Sequence, residues 1–141
     1  MKIVDIRAKL HDARVLSILA HSQYMPTPEK LNRMADQYES DAAISAFACE
    51  HNGMICGAII LKHTGGAAFE IMSIATHPDY RKQGVGAKLV AFAASTPGCT
   101  VIQAETDDDA VGFYRKCGFQ IESLGEKYPG IVRYLCSLKL S

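Results

Sequence analysis

No apolar run in the 141-residue chain reaches the roughly 18 residues that a membrane-spanning helix requires. The first residues, Met1-Lys2-Ile3-Val4-Asp5-Ile6-Arg7, put charges where a secretory signal needs its apolar core, so the expectation is a cytoplasmic protein with no membrane partner. Nor is there an excess of charge of one sign. Fifteen Lys plus Arg balance fifteen Asp plus Glu, which removes the main electrostatic argument for a nucleic-acid partner. The cysteines at 49, 56, 99, 117 and 136 show no Cys-x-x-Cys spacing. Buried free thiols are therefore expected, rather than a disulfide framework or a zinc site. His11, His21, His51 and His63 lack ligand spacing as well, and no metal is expected. Without repeats, low-complexity tracts or linkers, residues 1–141 read as one domain, large enough to bury a core unaided.

Apolar periodicity and turn chemistry divide the chain. Ile3, Val4 and Ile6 make a short strand, and Val15, Leu16 and Leu19 give residues 11–20 a helical spacing. A second helix restarts at Thr27-Pro28, where Thr27 can cap and Pro28 suits the first helical position. Residues 43–50 and 54–62 form a hairpin across Asn52-Gly53, and 67–76 follows Gly65-Gly66 as the third strand of a meander that Pro78 ends. Val85, Leu89, Val90, Phe92 and Ala93 give the next helix an apolar face, and 100–105 is the strand after it. That crossover requires 100–105 to run parallel to the strand ending near Thr76, so the sheet is mixed. A helix from about Ala110 to Gly118 and strands over 119–124 and 131–140 close the chain.

The junction after Thr76 is where chemistry concentrates. In Arg81-Lys82-Gln83-Gly84-Val85-Gly86-Ala87, glycines crowd the point where a strand hands over to a helix. Residues without a Cβ let backbone approach a ligand, and the free amides of a first helical turn favour an anion. Arg81, Lys82 and Lys88 add positive charge. A dinucleotide fingerprint is the competing reading, but it needs a third glycine where Leu89 stands. About thirty residues on comes Ala110-Val111-Gly112-Phe113-Tyr114-Arg115-Lys116-Cys117-Gly118-Phe119. Together, Arg81-x-x-Gly84-x-Gly86 and this second stretch resemble the GNAT superfamily of acyl-CoA-dependent N-acetyltransferases.

That resemblance implies an α/β (α+β) fold with a mixed, mostly antiparallel sheet of about six to seven strands and about four helices, its central parallel strands splayed around acetyl-CoA. Arg81, Lys82, Gln83, Gly84, Val85, Gly86 and Ala87 would then cradle the pyrophosphate, and Ile74, Ala75 and Thr76 would offer a strand edge to the pantetheine. Tyr114 falls where many members hold a tyrosine near the CoA sulfur as general acid, and Glu70, between Phe69 and Ile71, where some hold a general base. Asp107 stands where many members have an asparagine. A carboxylate cannot donate as an amide does, so Asp107 to Asp109 read as a helix cap, and His77 as a loop residue.

The implied reaction is direct acetyl transfer to a primary amine, a small molecule being favoured, with a protein lysine or N-terminal amine and a non-catalytic acyl-CoA-binding module as alternatives. Family acceptor sites lie between the N-terminal helices and the last hairpin, which nominates Tyr24, Met25, Tyr38, Tyr128 and Tyr134. That set is more aromatic than acidic and disfavours a polycationic acceptor. A monomer or a homodimer is expected.

Overall fold

In a computed structural model, residues 1–140 are described. They form a seven-stranded sheet in the order β1-β2-β3-β4-β5-β7-β6 with four α-helices. The strands are β1 (Lys2–Asp5), β2 (Ile44–His51), β3 (Met54–Gly65), β4 (Ala68–Thr76), β5 (Val101–Thr106), β6 (Gln120–Tyr128) and β7 (Ile131–Lys139). The helices are α1 (Ala13–Leu19), α2 (Pro28–Ser40), α3 (Val85–Ala94) and α4 (Val111–Lys116). Every neighbouring pair is antiparallel except β4 with β5, so the mixed sheet required by the crossover is present. None of the described helices is long and apolar enough to cross a membrane.

Local chemistry explains most boundaries. Thr27 accepts a hydrogen bond from the Lys30 amide and Pro28 opens α2, as the cap and the fixed proline φ dictate. Asn52 and Gly53 take φ of 50° and 78°, the left-handed pair that a two-residue hairpin of matching twist demands. Two arms run longer than their apolar content indicates. β3 continues to Gly65 and β6 to Tyr128. Nearly all of β6 is exposed, so its backbone pairing with β7, and no burial pattern, sustains it; sequence periodicity stops near Leu124 because nothing beyond is half-buried.

The two sheet faces carry separate cores. Val15, Ile18 and Leu19 of α1 and Met34 and Ala35 of α2 pack on Ala46, Ala48, Ala58, Ile60 and Ala75. Val85, Leu89, Val90 and Ala93 of α3 and Val111 and Tyr114 of α4 pack on Ile59, Leu61, Ile71, Ile102 and Ala104. β3 contributes alternate residues to both, which is why 55–61 reads as an unbroken apolar run.

β4 departs from a regular strand. Ile60 pairs with Ser73 and Leu61 with Ile71, leaving Met72 unpaired as a bulge. The extra residue reverses the alternation: Ile71 enters the core beneath α3 and α4, while Ala75 enters the one beneath α1 and α2. β4 pairs with β5 only through Ala68, Phe69 and Glu70 opposite Val101, Ile102 and Gln103. Beyond that point the two parallel strands separate.

Helix α3 meets α4 at Gly86. A Cβ built on Gly86 would stand 2.7 Å from Cε1 and 3.0 Å from Cζ of Phe113, so the ring occupies the volume that any side chain at 86 would need. The same ring packs edge-on to Tyr114, centroids 5.1 Å apart. Gly86→Ala is expected to lose about 1–3 kcal/mol, the usual cost of overpacking. Adding Phe113→Leu should return part of it. Urea unfolding of the single and double variants checks this, and an unchanged midpoint in Gly86→Ala contradicts it.

Candidate active site

Where β4 and β5 part, they enclose a cleft of about 470 Å³. Ile71, Met72, Ser73 and Ile74 line one wall and Glu105, Thr106 and Asp107 the other, with Tyr114 between them and His21 to Tyr24 at the rim. No β5 residue pairs with β4 beyond Glu70, so the backbone amides and carbonyls on this side of Ile71 to Thr76 have no ladder partner and can take an extended ligand as an added strand. Ile74 lines the cleft itself. Ala75 and Thr76 continue the same edge towards α3, with Thr76 held on its other side by Gly57 of β3.

The chain then turns through a short 3-10 segment, Pro78–Tyr80, capped by His77, whose Nδ1 accepts from the Asp79 amide at 3.0 Å. His77 thus holds the loop. Lys82 and Gly84 adopt φ of 64° and 78°, a left-handed reversal that glycine makes without strain. Gly84 is the N-cap of α3 and has no side chain with which to cap it, so the amides of Val85, Gly86 and Ala87 are free to meet an anion at the positive end of a ten-residue helix. Arg81, Lys82 and Gln83 are exposed beside this turn. Lys88 is exposed as well, but its ammonium donates to the Met1 carbonyl at 3.0 Å.

Tyr114 is 5% exposed and packed edge-on against Phe113 and Phe119. No buried side-chain oxygen or nitrogen among the described residues lacks a partner, yet the Tyr114 hydroxyl has no hydrogen bond to any of them. It therefore keeps its accessible surface in the cleft. Burial, with smaller contributions from Cys136 and Cys117, pushes the phenol well above its ordinary value of 10.0.

Glu70 lies outside the cleft lining, on the last pair that joins β4 to β5 and across from Lys62 of β3. Alternation puts its side chain on the face that carries α1 and α2, opposite to Ile71. The Lys62 ammonium goes to Asp41 at 3.1 Å. Glu70 and Tyr114 thus flank the point of separation from different sides of the sheet. Asp107 spends its carboxylate on the amides of Asp109 and Ala110, at 3.0 and 3.3 Å, the capping role its side chain suits.

Of the nominated aromatics, only Tyr24 lines the cleft. Tyr128 is 63% exposed on the hairpin end, Tyr134 donates to Asp108 at 2.6 Å, and the Tyr38 hydroxyl is bonded to Ser73 at 2.9 Å. The walls hold Glu105, Asp107, Asp109 and Arg133 instead, a more acidic lining than the aromatic and apolar one expected, and these carboxylates weaken the argument against a polycationic acceptor. Glu105 is held below the usual carboxylate range by the Lys127 ammonium at 3.2 Å, with Arg133 at 3.3 Å. Its signal was in the sequence: Ile102, Ala104 and Thr106 are buried and alternate with Gln103 and Glu105, which turns Glu105 away from α3 and α4. The bulge that brings Met72 and Ser73 to the wall carried no such signal.

Residues 43–121 match the family model described as "Acetyltransferase (GNAT) domain". Over 59 residues, 37% of this chain, the sequence is 42% identical to the peptidyl-lysine N-acetyltransferase YjaB of Salmonella typhimurium, and the matched stretch spans 41% of that protein. Among solved structures, a GNAT family acetyltransferase from Elizabethkingia anophelis with acetyl-CoA bound superimposes with a TM-score of 0.72 at 21% identity, over 99% of this chain and 97% of that one. An aminoglycoside 6'-N-acetyltransferase complexed with coenzyme A does so with a TM-score of 0.77 at 15% identity, over 99% and 97%. At such identities the two structures speak for the fold, whereas the family model covers more than half of the chain. This chain belongs to the GNAT superfamily of acyl-CoA-dependent N-acetyltransferases.

Proposed function

We propose that the chain transfers the acetyl group of acetyl-CoA to a primary amine by direct attack in a ternary complex, with Tyr114 as general acid and Glu70 as general base. The observation that carries this reading is the unpartnered Tyr114 hydroxyl at the floor of a cleft whose β4 wall has a free backbone edge. That edge, with Ile74, Ala75 and Thr76, suits the amide-rich pantetheine. The exposed turn from Arg81 to Ala87 suits the pyrophosphate, through its helix amides and through Arg81 and Lys82.

In the reaction, the amine nitrogen bonds to the thioester carbonyl carbon and the carbon–sulfur bond breaks. Tyr114 gives its proton to the departing sulfur, and the second proton that the nitrogen sheds as the amide forms returns to Tyr114 through water. Glu70 takes the proton that the ammonium must shed, through a water on its side of the sheet. No thiol is arranged as a nucleophile. Burial pushes the Cys117 and Cys136 thiols up, opposite to the shift that makes a cysteine reactive. Acetyl-CoA and free thiols both suit a cytoplasmic setting.

The acceptor is read as a small amine that meets the thioester in the same cleft as the pantetheine. A lysine side chain on a polypeptide is the second reading, favoured by the activity that names the Salmonella relative. A screen of amines and lysine peptides with mass detection of acetylated products separates the two. Release of CoA thiol that no acceptor stimulates would favour a binding module over an enzyme.

Tyr114→Phe should lower kcat by roughly 10²-fold, the lower end for a positioned proton donor, while leaving CoA affinity nearly unchanged. Because burial raises the phenol, its proton stays bound through neutral pH and beyond, and the deficit should be constant from about pH 6 to 10. An unaltered rate in Tyr114→Phe removes Tyr114 from the acid role, whereas a deficit that vanishes on the alkaline side contradicts the raised phenol. Glu70→Gln should lower kcat, and an unaltered rate removes Glu70 from the base role.

A further inference from the structure

The free edge of β4 presents a mechanical problem. Past Glu70 the strand is paired on one side only, and on that side it carries a bulge. A strand so placed keeps its ladder to β3 from Ser73 to Thr76 but has none on the cleft side, and Ile74 to Thr76 must hold still if a ligand is to pair with them. A further restraint comes from the other face of the sheet. Ser73, the residue immediately after the bulge, is one of two buried polar or charged residues among the described residues, at 5% exposed. Its hydroxyl shares a 2.9 Å hydrogen bond with the hydroxyl of Tyr38 in the last turns of α2.

That end of α2 is itself tied down. The Arg7 guanidinium, just beyond β1, donates to the carbonyls of Glu39 and Asp41, each at 3.0 Å. Lys62 of β3 pairs with Asp41 at 3.1 Å. Burial raises the Tyr38 phenol, so the hydroxyl stays protonated and the bond persists across the working range. Tyr38 itself does not line the cleft.

We infer that Tyr38 is a positioning residue for acyl-CoA: through Ser73 it anchors the β4 bulge and so holds the strand edge that receives the pantetheine. The inference rests on the reading that pantetheine pairs with this edge. It separates the two halves of the cofactor site, because the pyrophosphate turn is built on α3 and packs against α4 on the opposite face, out of reach of α2.

Titration calorimetry of CoA against 3′-phospho-ADP, which keeps the pyrophosphate and lacks the pantetheine, tests this. Tyr38→Phe should weaken CoA by about three- to tenfold, the net worth of one hydrogen bond, and leave 3′-phospho-ADP unchanged. Ser73→Ala, which keeps the fold test independent of α2, should give the same split. The double variant should lose no more than either single one, since the two act through one bond. Equal losses for both ligands, no loss for either, or additive losses overturn the positioning role. Wild-type protein that binds CoA no more tightly than 3′-phospho-ADP would instead overturn the pantetheine-edge reading, and the positioning role with it.

Discussion

The site depends on the early end of one ladder of backbone hydrogen bonds. β4 and β5 are joined only from Ala68 to Glu70, and everything that makes the chain more than a sheet with four helices follows from their parting. In a closed sheet the groups on that side of Ile71 to Thr76 would be satisfied by β5. Left open to solvent, they cost little in the free protein, because water pairs with them, and they give an extended amide-bearing ligand a matched row of partners. The bulge at Met72 falls where β5 leaves β4, and a bulge adds local twist to the strand that carries it. The same extra residue decides what the cleft wall consists of, since it turns Ile71 and Ala75 into different cores.

The two glycines of the turn serve different physical needs. Gly84 provides a left-handed backbone and an N-terminus free of side chain. Gly86 provides space, and the atoms that fill it are those of Phe113. The residue next to Phe113 is Tyr114, so the packing that seats α4 on α3 also sets where the phenol enters the cleft. The two motifs that look independent along the chain are one contact in three dimensions, which is a physical reason for them to occur together.

Much of this was legible. The meander, the Asn52-Gly53 hairpin, the crossover, the mixed sheet and the turn after Thr76 follow from apolar spacing and turn chemistry, because each is a local preference expressed over a few residues. What stayed hidden is long-range. No local pattern marks Met72 as a bulge, since Ile71-Met72-Ser73-Ile74 reads equally well as plain alternation. Nor does any pattern say that Tyr38 meets Ser73, or that Tyr134 is taken by Asp108. Those pairings depend on the helix position over the sheet, which a single sequence does not encode in any short window. The polar wall of Glu105, Asp107, Asp109 and Arg133 gathers residues from β5, the loop after it and β7, and only the β5 alternation that exposes Glu105 marks any of it locally.

The burial of Tyr114 sharpens the proposed chemistry. A phenol whose proton is held above its ordinary range is a poor acid towards water, and a raised value looks at first like an argument against proton donation. What governs transfer is the difference between donor and acceptor in the same surroundings. A thiolate leaving beside the buried phenol is destabilised by the desolvation that destabilises a phenolate, so its proton affinity rises too. Burial therefore leaves the gap between the two partly unchanged, while it ensures that Tyr114 is protonated at every turnover. It also leaves the departing thiolate with a hydroxyl donor to accept from where water would otherwise serve. The apolar packing by Phe113 and Phe119, which looks purely structural, thus sets both the position and the protonation state of the proposed acid.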